Sequence, residues 1–156
     1  MSLEQEVELI RRFPIFSKIA PAKQKLLCFS SERLSYAAGQ EIFHEGAPGD
    51  ACYVVIEGDI EISVDRRDKD GIVKDRLVIS MVGPNQILGE IAIFGNVPRT
   101  ATATAKTRID VLRISAELFR SVIRENPDAA IELIRQLAGR LATTTAFLTR
   151  ESGPTK

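Results

Sequence analysis

The chain changes character twice along its length, and both changes show in the spacing of its apolar residues. Near the N-terminus Val7, Ile10 and Phe13 fall on one helical face, with Leu3 and Leu9 to either side, and Pro14 closes the pattern as a helix terminator would. Pro21 suits a first helical position ahead of Leu26, Leu27 and Phe29, which predicts a second helix ending near Ser30. Between Ser31 and Ser115 the apolar residues come instead in short runs, broken at Ala38-Gly39, Gly46 to Asp50, Gly58-Asp59, Asp70-Gly71, Gly83-Pro84-Asn85 and Gly95-Asn96. Many short strands at such spacing predict a β-sandwich or barrel. In one of them Ile60, Ile62 and Val64 alternate with Asp59, Glu61, Ser63 and Asp65, the period of a strand with one wet face. The charged stretch from Arg66 to Arg76, which carries Asp70-Gly71, reads as a solvated hairpin tip.

Past Ser115 the spacing turns helical. Ser115 can cap a segment whose Leu118, Phe119, Val122 and Ile123 share one face, and Asn126-Pro127-Asp128 restarts a long helix with a cap residue, a proline and an acid facing the dipole. Within it Ile134, Ala138, Leu141, Thr145 and Leu148 recur at steps of four and three, a seam able to pack on the β-core or on the same helix of a second copy. The expected plan is mainly β with flanking helices: helices over 1–30, a β-roll over 31–115 and helices over 116–150, together one domain spanning 1–156.

Composition narrows the function. At 44% hydrophobic and 27% charged residues the chain has the makings of a core. Its 21 Lys plus Arg balance 21 Asp plus Glu, against a protein that coats nucleic acid or an anionic membrane with positive charge. Cys28 and Cys52 stand far apart among apolar neighbours, so they make neither a disulfide framework nor a CxxC site. No apolar run approaches the roughly 18 residues of a membrane span, and the acidic start MSLEQEVEL lacks a signal-peptide core, so the expected location is the cytoplasm. One histidine, His44, cannot furnish a multi-histidine metal centre, no GxSxG motif occurs, and two scattered cysteines cannot hold an iron–sulfur cluster. These counts favour a binding module over an enzyme, without metal or cofactor.

From Leu77 to Ala105 only Glu90 and Arg99 are ionisable. Opposite charges in such surroundings are paired with each other, bound to a ligand or exposed on a loop, because burying one alone costs several kcal/mol. Gly89 precedes Glu90, and Thr100, Ala101 and Thr102 follow Arg99, leaving the backbone around both charges accessible. A helical turn starting near Gly89 would present unpaired N–H groups, and Arg99 a planar fork matching phosphate oxygens. Glu90 would repel a phosphate and needs a donor, for which a sugar hydroxyl is the natural choice. An anion and a hydroxyl about a sugar apart describe a nucleotide.

The segment GEIAIFGNVPRTATA, Gly89 to Ala103, resembles the phosphate-binding cassette of the cyclic nucleotide-binding domain family, which places that cassette at 89–102. Upstream, Ala38 to Asp50 followed by Tyr53 to Gly58 is similar to the family's glycine-marked strand turns, and the helix from Asn126 through Arg140-Leu141 to its C-terminal helix. The resemblance implies a double-stranded β-helix, or jelly-roll β-roll, of about eight strands. It further implies that Glu90 accepts from the ribose 2′-hydroxyl with the Gly89 backbone assisting, that Arg99 pairs with the cyclic phosphate, and that amides near Ile91, Ala92, Thr100 and Ala101 complete the cradle. Thr100 is similar to the residue of cGMP-preferring members, whereas Arg140 to Thr145 resembles the catabolite activator helix that touches adenine, making Thr144 and Thr145 candidate base contacts. The balance favours cAMP over cGMP, bound by a sensor that moves its C-terminal helix. Many relatives append a helix-turn-helix; here the chain ends at Lys156, so the expectation is a module without one that contacts no nucleic acid itself and acts through dimerisation, through a downstream protein partner or as the regulatory fragment of a larger transcription regulator, channel or kinase, with a non-binding interaction domain of the same fold as a further alternative.

Overall fold

A computed structural model describes residues 1–152; the side chains at 144 and 147–152 lie outside the described residues. Three helices open the chain. The first, α1 (Leu3–Ile10), starts in a capping box in which the Ser2 hydroxyl accepts from the Gln5 amide and Gln5 Oε1 from the Ser2 amide. It stops at Ile10, earlier than Pro14 requires, and that proline instead opens α2 (Pro14–Ser17), where its missing N–H is not needed. Pro21 does the same for α3 (Pro21–Phe29).

Eight strands follow: β1 (Glu32–Tyr36), β2 (Glu41–Phe43), β3 (Ala51–Glu57), β4 (Ile60–Arg67), β5 (Val73–Val82), β6 (Ile87–Leu88), β7 (Thr102–Ala105) and β8 (Ile109–Ser115), with α4 (Glu90–Phe94) between β6 and β7. They form two four-stranded sheets, ordered β1-β8-β3-β6 and β2-β7-β4-β5, in which all paired strands are antiparallel. This is the expected double-stranded β-roll. The strand run Ala51 to Val55 is apolar without interruption because β3 is covered on both sides. Ala51, Tyr53 and Val55 meet Ile60, Ala103 and Val111 between the sheets, while Cys52 and Val54 face the helices with Ile10, Phe16, Leu112 and Phe119. Phe16 packs edge-on against both Phe13 and Phe119 at centroid distances of 6.0 and 6.3 Å. Each such fully buried side chain is worth roughly 1.5–3 kcal/mol, which fastens the N-terminal helices to the roll.

Two local expectations change. The alternation around Ile60 is broken, since Ile60 and Ser63 are buried while Ile62 and Val64 are only half-buried, and a bulge between Ile62 and Ser63 shifts the register. The stretch from Arg66 to Arg76 is mostly strand and not loop: Arg66 faces and ion-pairs Asp75, Asp65 faces Arg76, and only 68–72 turn the chain. The ladder is carried outward by opposite charges set across from one another.

Ser115 accepts from the Leu118 amide and starts α5 (Ala116–Glu125), which buries Phe119, Val122 and Ile123. The last helix, α6 (Pro127–Ser152), is 26 residues long and buries Ala129 and Leu133. Its seam residues Ile134 and Leu141 are 65% and 68% exposed, and Ala138 and Thr145 are exposed as well, while Leu148 falls outside the described side chains. No helix among the described residues is long and apolar enough to cross a membrane.

Candidate functional site

The two isolated charges are brought together by one glycine turn. Gly89 links β6 to α4 with φ at 90°, a left-handed conformation that a side chain resists, and a Cβ there would lie 2.6 Å from Arg99 Nη1 and 3.2 Å from the Ala51 carbonyl. Glycine is therefore required twice over, for its backbone angle and for the arginine that fills the space. Arg99 is pinned from the opposite side by the turn before β3, where its amide donates to Ala47 O at 2.8 Å and its carbonyl accepts from the Gly46 amide at 2.8 Å. In the same turn Gly49 packs so closely on Ala92 of α4 that a Cβ would collide with it.

Glu90 and Arg99 are 2% and 3% exposed, and among the described residues no ion pair joins them. Arg99 donates from Nη1 to Gly89 O at 2.8 Å and from Nη2 to Ala51 O at 2.6 Å, and its Cζ lies 4.2 Å from the centre of the Phe43 ring. Asp50 Oδ1 is 3.6 Å from Nη2, on a side chain that is 67% exposed. Glu90 Oε1 accepts from Arg140 Nη1 of α6, whose Nη2 donates to Ile87 O at 2.6 Å. Among the described residues two buried side-chain polar atoms are left without a partner: the acceptor Glu90 Oε2 and the donor Arg99 Nε. Native interiors rarely strand such atoms, so each points to a group the polypeptide does not itself supply. Burial pushes the Glu90 carboxyl above its ordinary range, with Arg140 opposing the shift, and burial lowers the Arg99 guanidinium.

The glycine-marked turns, the β-roll and this cassette coincide with a profile described as "Cyclic nucleotide-binding domain", which matches residues 33–126. The chain belongs to the cyclic nucleotide-binding domain family. It is similar to the CRP-like cAMP-activated global transcriptional regulator of Mycobacterium tuberculosis, 33% identical over 137 residues, which are 88% of this chain and 59% of that protein. The chain thus spans about six-tenths of the length of that curated relative. Among solved structures, the catabolite activator protein of Thermus thermophilus aligns with a TM-score of 0.72 at 28% identity, over 89% of this chain and 63% of that one. The sensor domain of the regulator DNR from Pseudomonas aeruginosa has a TM-score of 0.77 at 22% identity, over 92% and 93% of the two chains, and shows the shared fold.

Within this cyclic nucleotide-binding domain the expected cassette residues are gathered at α4 and the loop after it. Ala92 and Ala101 are buried and Ile91 and Thr100 exposed, beside the buried Glu90 and Arg99. The two helix threonines stand differently. Thr145 is exposed and its hydroxyl donates to Leu141 O of its own helix at 2.9 Å, and the Thr144 side chain lies outside the described residues. Arg140 of α6 reaches the cassette through Glu90, and the sequence did not point to it as a site residue, nor to Phe43. A carboxylate buried in apolar sequence was the available signal that some cation must come from elsewhere in the chain. His44 pairs with Glu41 at 3.2 Å, and no group of three or more His, Cys, Asp or Glu is gathered for a metal among the described residues. Cys28 and Cys52 are buried free thiols, and desolvation pushes Cys28 up to about 12 and raises Cys52 as well.

Proposed function

We propose that this domain is a cyclic nucleotide sensor with cAMP as its preferred ligand. The observation that carries the reading is the pair of stranded atoms: Arg99 Nε offers a donor to an anion, and Glu90 Oε2 an acceptor to a hydroxyl. A ribose 3′,5′-cyclic phosphate supplies both from one rigid ring. In this reading Glu90 takes the 2′-hydroxyl, Arg99 the cyclic phosphate, and the backbone of Gly89, Ile91, Ala92, Thr100 and Ala101 lines the cradle. The cAMP preference is supported by the mycobacterial relative, which is described as cAMP-activated.

Coupling to α6 runs through Glu90. One carboxylate oxygen holds Arg140 and the other is free to take a hydroxyl, so ligand and helix bind the same carboxylate without evicting each other. Ligand favours the docked α6 when that helix also meets the base, the differential contact that coupling requires. Thr144 and Thr145 lie one turn further on, as base contacts, and the exposed Ile134 and Leu141 form the seam for a homodimer, through which, or through a downstream protein, the signal leaves. The domain itself is a regulatory module and catalyses no reaction. Its free thiols suit a reducing cytoplasm.

The test is calorimetric titration with cAMP, cGMP and 5′-AMP after the protein has been unfolded and refolded to strip any ligand carried from the expression host. Saturable binding of cAMP, tighter than cGMP and far tighter than 5′-AMP, is expected. Preference for cGMP shifts the base contact to Thr100, and a refolded protein that binds none of the three overturns the sensor reading.

A further inference from the structure

Arg99 is buried, and the groups that accept hydrogen bonds from it are uncharged. Both Nη atoms are taken by main-chain carbonyls, while Asp50 makes only a longer ion pair with Nη2, 3.6 Å off on an exposed side chain, and its carboxylate is nearer to Arg113, at 3.2 Å. One face of the guanidinium is covered by the Phe43 ring, 4.2 Å from Cζ to the ring centre. The ring is itself fixed: Phe43 pairs with Ala103 in the β2–β7 ladder and packs on Tyr53 at 6.0 Å with the planes tilted by 33°.

These contacts divide the work of orientation. Two carbonyl acceptors fix the guanidinium within its plane, and an aromatic face stops it tipping out of that plane. A carboxylate in the place of the ring would orient the arginine as well and would also neutralise it. The π-face attracts the cation through its quadrupole and leaves the net charge in place. We infer that Phe43 is a positioning residue for anion binding: its ring holds the Arg99 guanidinium in a fixed plane without neutralising it, so that Nε–H and the full positive charge face the ligand. The inference rests on the cyclic nucleotide reading, in which Arg99 takes the phosphate.

Replacing Phe43 by phenylalanines carrying one, two and three ring fluorines drains the π-face while keeping nearly the same shape. Affinity for cAMP is expected to fall stepwise along this series and by about two- to thirty-fold in Phe43→Leu, the range spanned by cation–π contacts. Phe43→Tyr should recover most of it. A merely structural ring would give the opposite pattern, with affinity indifferent to fluorination, and that result overturns the inference. A second measurement needs no ligand: the NMR resonance of Arg99 Nε–H, identified by its loss in Arg99→Lys, should show the upfield shift of a proton over a ring and lose it in Phe43→Leu. An unshifted resonance in the wild type, or one that Phe43→Leu leaves in place, also overturns the inference. A wild-type protein with a flat cAMP titration overturns the sensor reading before any variant is made, and the resonance then judges the stacking by itself.

Discussion

Gly89 and Gly39 offer a matched pair of substitutions. Both have φ near +90°, but an added Cβ meets nothing within 4 Å at Gly39, whereas at Gly89 it comes within 2.6 Å of Arg99 Nη1. Alanine at either position bears the left-handed penalty of about 1–2 kcal/mol, and the loss of unfolded-chain freedom is common to both. At Gly89 the arginine must also move, which breaks its bond to Gly89 O inside the protein and adds about 1–3 kcal/mol. Gly39→Ala is therefore expected to lose about 1–2 kcal/mol of stability and Gly89→Ala about 2–5 kcal/mol. Urea unfolding reads both, with an unchanged slope required for the comparison. Cyclic nucleotide titration then separates the sites, since Gly39→Ala should bind as the wild type does and Gly89→Ala should lose most of its affinity. Equal stabilities for the two variants, or intact binding in Gly89→Ala, would refute the claim that Arg99 occupies the space a side chain would need.

Three further outcomes follow from the same geometry. The Glu90 carboxyl is raised by burial, so the folded protein binds its proton more tightly than the unfolded chain does. The penalty of its charge is full above the raised value and fades as pH falls toward about 4.3, so this group adds stability on acidification. Ribose binding uses the charged form, so on acidification cAMP affinity should begin to fall at a higher pH than the one at which an ordinary carboxylate titrates; parallel pH profiles for wild type and Glu90→Gln in calorimetry would contradict this. Arg140→Gln removes the cation from Glu90, and because the Arg140 side chain is 42% exposed the cost should be about 1–2 kcal/mol, below that of breaking a fully buried pair. The amides of α6 near Leu141 should then exchange faster with deuterium relative to those of β3, and unchanged exchange would detach Arg140 from helix docking. Leu141→Glu places a charge in the exposed seam and should shift sedimentation from dimer to monomer while leaving the melting temperature within a few degrees; a wild type that sediments as a monomer at tens of micromolar counts against the seam.

How much could be read early depended on the range of the interaction. Turn positions were legible because they are local: Gly39, Gly46, Gly58 and Gly71 all take positive φ where the sequence broke its apolar runs. Ser115 and Pro127 begin helices for reasons contained within one turn of chain. The candidate site was legible in part, since a carboxylate and a guanidinium alone in an apolar stretch announce themselves by composition. Their partners did not, because Arg140 lies 50 residues from Glu90 and Ala51 lies 48 residues from Arg99.

The sequence by itself determined several of the turns, the cap at Ser115 and the helix start at Pro127, and that Glu90 and Arg99 share one segment, because backbone angle and solvation act on neighbours. Only the tertiary structure decided that β3 is covered on both faces, that the ladder runs on through Arg66 and from Val73 to Arg76 so that only 68–72 form the turn, and that Glu90 is ion-paired to Arg140 and Arg99 lies against Phe43. Those outcomes depend on which distant surfaces exclude water together. A strand's own residues cannot state that, since the free energy of burying a charge or a ring belongs to the pair of surfaces that meet.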